Sequence, residues 1–152
     1  MTESSPSAPA KGALHVDALP AGFRLGEFEV LALLGVGGFG MVYKAFDHSL
    51  HRAVAIKEFM PAALVARTDD GSLLARSPAD QAAFMAGLRS FVGEARLLAQ
   101  FDHPSLVKVF RFWEANSTAY MVMPLYSGMT FKQARAQMRT PPPEAWLRKV
   151  LW

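Results

Sequence analysis

Two charges stand where amphipathic elements would keep apolar side chains. Lys57 lies in the middle of the run AVAIKEFM, and Glu94 flanks an apolar helical stripe, three residues after Phe91 and four before Leu98. A strand lysine usually turns to solvent, and a glutamate at that place on its own reads as a rim residue. Taken together they suggest a pair, because an unpaired buried charge is very costly. A third feature lies upstream. The stretch LLGVGGFGMVYKAF, residues 33–46, puts Gly35, Gly37, Gly38 and Gly40 into a strand-like run, where glycine weakens the strand unless bare backbone is needed. Free backbone N–H groups can surround an anion such as a phosphate, and the spacing Gly35-x-Gly37-x-x-Gly40 suits that use.

The spacing alone leaves three readings open. In a dinucleotide fold the glycines join a strand to a helix, and an acidic residue roughly 20 positions later binds ribose; Glu58 stands near that distance. The glycines could also be bulges in an antiparallel sheet. Between a helix and a strand after Gly40, the residues favour the strand: MVYKAFDHSLHR alternates with period two and carries Ser, Asp and two His where a packed helix should continue.

The elements that must position these residues follow from pattern and punctuation. Residues 1–20 are rich in Ser, Pro and Ala and read as a disordered tail. A first strand begins near Phe28, a second covers MVYKAFD, and a third, AVAIKEFM, is stopped by Pro61. Asp70-Gly71 favours a tight turn, so residues from about 64 to 76 read as a small hairpin. Ser77, Pro78 and Asp80 mark a helix start, and Phe84, Leu88, Phe91, Ala95 and Leu98 carry the helix to about Phe101. LVKVFRFWEANSTAYMVMPLY reads as two strands around a polar turn at Glu114–Ser117, with Met121, Met123 and the aromatics as core positions. MTFKQARAQM and EAWLRKVLW read as helices separated by prolines 141–143. The expected architecture is α+β: a five-stranded antiparallel sheet with one long helix, followed by an unfinished helical part.

Composition bounds the function. The 152 residues are 51% hydrophobic, enough for one core, and the net charge of +3 comes from scattered Lys and Arg. Neither nucleic-acid binding nor membrane contact is expected from that distribution. The chain has no cysteine, so disulfides, thiolate metal sites and cysteine nucleophiles drop out, in keeping with a cytoplasmic protein. Glu3 stands where a signal peptide carries positive charge, and no apolar run approaches the length of a membrane helix. His48 and His51 have metal-compatible spacing with no third ligand nearby, so they read as a solvated turn and no metal site is expected.

Four motifs in order, Gly35 to Val42, VAIK (Val54–Lys57), EARLLAQFDHPSLV (Glu94–Val107) and YMVMPLYSG (Tyr120–Gly128), resemble the N-terminal lobe of the eukaryotic-like serine/threonine protein kinases, and most of all the bacterial ones. The resemblance implies a kinase N-lobe over residues 21–123, a hinge at 124–128 and the start of a C-lobe at 129–152. It implies that the loop formed by Leu34, Gly35, Val36, Gly37, Gly38, Phe39, Gly40, Met41 and Val42 covers the ATP phosphates. Leu34 and Val42 would pack on adenine beneath Ala55. Lys57 would bind the α- and β-phosphates and be held by Glu94. Met123 would be the gatekeeper, and backbone groups of Pro124 and Tyr126 would bind the adenine edge. ATP and magnesium are the implied cofactors, with the magnesium ligands in the rest of the C-lobe, and a protein substrate is the implied partner.

Two departures from the family pattern matter. The interval from Lys57 to Glu94 is longer than usual, and the hairpin supplies the excess. No His-Arg-Asp or Asp-Phe-Gly sequence occurs, so phosphoryl transfer by these residues alone is not expected. The alternative is a non-catalytic module that binds a nucleotide or a partner.

Overall fold

The computed structural model describes residues 17–100 and 108–125. Its elements are β1 (Arg24–Leu25), β2 (Phe28–Gly37), β3 (Gly40–Asp47), β4 (Arg52–Phe59), β5 (Val65–Arg67), β6 (Leu73–Ala75), α1 (Pro78–Gln100), β7 (Arg111–Ala115) and β8 (Thr118–Pro124). Six strands form an antiparallel sheet in the order β1-β2-β3-β4-β8-β7, and β5 with β6 forms a separate hairpin. The five long strands are those expected; the sixth, β1, has two residues, too few to show a period.

Local sequence explains the boundaries. The β2–β3 turn needs Gly40, because a Cβ there would lie 2.1 Å from the backbone oxygen of Glu58 on β4. Asp47 caps the next turn by accepting hydrogen bonds from the N–H groups of Ser49 and Leu50 at 2.8 and 3.1 Å. Gly71 takes φ +93° in the β5–β6 turn, the left-handed backbone that the Asp-Gly pair favours. The Ser77 hydroxyl accepts the N–H of Asp80 at 3.1 Å and starts α1 as a helix cap does. Phe84, Leu88, Phe91, Ala95 and Leu98 are all buried along α1, as their spacing required.

The sheet is curled. Phe28 on β2 stacks on Trp113 of β7 with ring centroids 5.6 Å apart, although β3, β4 and β8 lie between those strands in the sheet, and Trp113 stacks in turn on Tyr120 at 5.5 Å. Arg111 lies over the rings of Phe28 and Trp113 and pairs with Glu27. The interior of the curl holds Val30, Tyr43, Ala45, Val54, Ile56 and Val122, all fully buried. The other face packs on α1, where Phe59 meets Phe84 and Phe91 at 5.4 and 5.5 Å.

The packed chain begins earlier than the composition suggested. The expected tail over residues 1–20 lies outside the described residues as far as residue 16, but Leu19 is buried and its N–H bonds the Tyr43 hydroxyl at 3.1 Å. Both helices expected after residue 128 lie outside the described residues.

Candidate functional site

The alternation of β4 separates its two charged neighbours. Cross-strand register places Val42, Lys57 and Met121 side by side on one face, with Gly35 opposite Val42 and with Ala55 opposite Met123. That face is apolar: Val42, Ala55, Met121 and Met123 are buried, and Lys57 is half-buried among them. Glu94 of α1 is close enough for its charge to act on Lys57. Burial pulls the Lys57 ammonium below the usual lysine range, and the charge of Glu94 opposes that shift. Burial likewise raises the Glu94 carboxyl, and Lys57 opposes it. Each charge is thus costly where it stands and is relieved in part by the other, which is the relation the two residues suggested from sequence.

The glycine-rich segment is a strand–turn–strand. β2 runs to Gly37 and β3 starts at Gly40, and register shifts between Val30/Ala32 and Leu33/Gly35 bend β2 as it approaches the turn. Gly38 and Phe39 form the exposed tip, with the Phe39 ring 69% exposed. Leu34 and Val36 are half-buried against the core. This arrangement excludes the dinucleotide reading, since an antiparallel strand and no helix follows Gly40. Met41 lies in β3 opposite Val36, and its side chain is buried in the interior of the curl, where the Tyr43 hydroxyl meets its sulfur at 3.5 Å, so on the glycine-rich segment it offers backbone rather than side chain. Pro124 ends β8 opposite Val54, and Tyr126 lies outside the described residues.

Glu58 has a role that its distance from the glycines does not reveal. It is fully buried inside the curl, on the opposite face from Lys57, and binds Arg67 of the hairpin through two contacts of 2.6 and 2.8 Å. The hydroxyls of Tyr43 and Tyr120 each donate to one of its oxygens, at 2.7 and 2.8 Å. Burial first, and then the neighbouring Glu58 charge, drive both phenols well above the usual tyrosine range, so they stay protonated donors. Burial alone would pull the Arg67 guanidinium down, but the hydrogen bonds and charge of Glu58 outweigh it and hold it above its ordinary value. Sequence reasoning missed this cluster. Its one visible trace was a second charge, Glu58, next to Lys57 in the same apolar run, which a strand must send to the other face.

His48 and His51 sit in the turn after β3. His48 pairs with Glu29 at 2.8 Å, and no group of three or more potential metal ligands occurs among the described residues. A groove of about 550 Å³ lies between the hairpin, the start of α1 and the β7–β8 turn, and it shares no lining residue with the Lys57 face. No helix among the described residues is long and apolar enough to cross a membrane.

Comparison with known proteins decides between the families that could use such a face. The profile described as "Protein kinase domain" matches residues 28–151. The chain belongs to the protein kinase domain family. Among the relatives of this kinase chain, the serine/threonine-protein kinase PknD of Chlamydia pneumoniae is 31% identical over 106 residues, which are 70% of this chain and 9% of that protein. The serine/threonine-protein kinase PrkC of Bacillus subtilis (strain 168) is 32% identical over 108 residues, 71% of this chain and 14% of that protein. The solved structure titled "PpkA-294 apo form" superposes with a TM-score of 0.72 at 50% identity, covering 89% of this chain and 48% of that one. This kinase chain therefore spans about a tenth of its curated relatives and about half of its solved neighbour. The curled antiparallel sheet with one helix is a kinase N-lobe.

Proposed function

We propose that this chain is the ATP-binding lobe of a serine/threonine protein kinase, and that it binds nucleotide without completing phosphoryl transfer by itself. The observation that carries the reading is the Lys57 ammonium, half-buried among Val42, Ala55, Met121 and Met123 and within reach of the Glu94 charge. Glu94 offsets only part of the burial cost of this cation, so a further anion would be favourable beside it, and the apolar residues around it offer a surface for a flat aromatic ring. The residues therefore fit a nucleotide: Lys57 would hold its phosphates, Glu94 would keep the ammonium aimed, the β2–β3 turn would close over the phosphates, and Ala55 leaves room for the base. Bound ATP supplies the transferable γ-phosphoryl group, and magnesium neutralises the phosphate charge. In a kinase with a complete C-lobe that group would go to Ser or Thr hydroxyls of a protein substrate.

The test is a titration of the chain with ATP, with and without magnesium, beside a Lys57→Met variant. Saturable ATP binding that weakens by roughly tenfold or more in the variant is expected, from the loss of a charge-assisted contact. Binding of NAD in place of ATP, or ATP affinity indifferent to Lys57, overturns the reading.

A further inference from the structure

The hairpin that lengthens the interval between Lys57 and Glu94 touches both elements that carry them. Its β5 end is fastened by Arg67, whose five N–H donors are all used. Nε donates to the Asp17 carbonyl at 2.9 Å, one terminal nitrogen donates to Glu58 and to the Gly71 carbonyl at 2.8 and 2.9 Å, and the other donates to Glu58 and to the Tyr43 hydroxyl at 2.6 and 3.4 Å. Glu58 is the residue next to Lys57, so this grip is on the strand that presents the ammonium. The β6 end is fastened by the Leu73 N–H, which donates to the Asn116 carbonyl in the β7–β8 turn at 2.9 Å. Between those ends the hairpin turns Val65 and Leu73 inward, where they are buried with Phe84 and Leu88 of α1 in the same core. Both hairpin strands contact α1.

The geometry makes the first half of α1 sensitive to where the hairpin sits. Phe84 and Leu88 are pinned; Glu94 lies ten residues beyond Phe84, about 15 Å along the axis at the α-helical rise. A helix is stiff over that length, so a small tilt at its start displaces the carboxylate by an ångström or more. We propose that the β5–β6 hairpin is a bracket between β4 and α1, and that Arg67 is the positioning residue through which it holds Glu94 within charge reach of Lys57. This rests on the ATP reading for its consequence, though not for its geometry. A hairpin that was only a surface insertion would not need a saturated guanidinium buried beside the functional strand.

The experiment removes both charges together in a Glu58→Gln/Arg67→Met variant, so that no unpaired charge is left inside the curl. The first readout is hydrogen exchange of α1 peptides covering residues 88–98, followed by mass spectrometry, which requires no nucleotide. Exchange there is expected to quicken by about tenfold, the scale of coupling such contacts carry, while peptides of the β2–β3 turn around Gly37–Gly40, which touch neither Glu58 nor Arg67 side chains, change less. The second readout is ATP affinity in a double-mutant cycle with Glu94→Gln. The paired variant is expected to weaken ATP by about tenfold in the native background and by less than about twofold once Glu94 is gone, because the two act through one pair. A fully additive loss, or α1 exchange equal to that of the native chain, overturns the proposal. Arg67→Lys keeps the charge but gives up the fork; if the paired variant fails to fold, this substitution takes its place in both measurements, with the same outcomes supporting or overturning the bracket. A native chain that binds no ATP overturns the functional reading alone, and the exchange result still decides whether the bracket exists.

Discussion

Lys57 and Glu58 are adjacent in β4, yet the two faces of the strand treat their charges in opposite ways. Inside the curl Glu58 is closed off: two tyrosine hydroxyls and a two-pronged guanidinium occupy both carboxylate oxygens, and nothing is left for a ligand. On the other face Lys57 and Glu94 relieve each other only in part, and burial still dominates the shift of each. A saturated pair is a structural device, since any further partner must displace one already present. A pair whose desolvation is not fully offset gains from a further charged group, and the proposed phosphate would be that group.

The contrast can be broken most sharply on its closed side. Arg67→Ala leaves Glu58 buried with no cation, and denaturant unfolding should show a loss of about 3–5 kcal/mol, the usual result of stripping one partner from a buried pair. The paired Glu58→Gln/Arg67→Met change should cost far less, because desolvation of both charges is removed along with their attraction. If the single and the paired changes cost the same, the cluster is not a closed ion pair.

The open side should respond far less. Lys57→Met removes a half-buried cation but also takes from Glu94 the charge that partly relieves it; the two effects oppose each other, so the change in stability in thermal unfolding should stay within about 1 kcal/mol. The same substitution is the one that should remove most ATP affinity, so stability and binding part company at this position. A loss of stability comparable to that of Arg67→Ala would erase the difference between the faces.

The smallest effect concerns pH. The folded-state carboxyl of Glu94 is raised, so between its unfolded pKa and its folded pKa the native chain holds more proton than the unfolded one. Its contribution to stability is therefore full below the unfolded value and falls as pH rises through the folded value. Glu94→Gln abolishes that fall. Relative to the native chain, the variant should gain stability as pH rises from acid through that window, as followed by unfolding at a series of pH values. A native chain whose stability does not fall there relative to the variant would mean that Glu94 is fully satisfied, like Glu58.

What could be read before the structure was what neighbouring residues encode. Asp70-Gly71 made its turn, Ser77 capped α1, and the apolar stripe of that helix and the period-two runs of the long strands settled which faces are buried. These depend on backbone preferences and spacing within a few residues. Lys57 and Glu94 were paired by the cost of burying either alone, an argument that holds across any sequence distance. The Glu58–Arg67 contact was invisible because it depends on the hairpin folding back over the end of the curl, nine residues away, and β1 was too short to show a pattern. Met41 was assigned by its place in a motif, while its side chain obeyed the strand alternation and turned inward.

The stack of Phe28 on Trp113 has a consequence for how this chain behaves in crowded solution. A flat sheet of this width would offer two rows of unpaired N–H and C=O groups, each a template on which another molecule could extend it. Curling brings the start of β2 against β7, clasps them with Glu27 and Arg111, and leaves a two-residue strand at the other margin. The aromatic column thereby works against aggregation as well as for the core: it denies a neighbouring copy a long, straight edge to join.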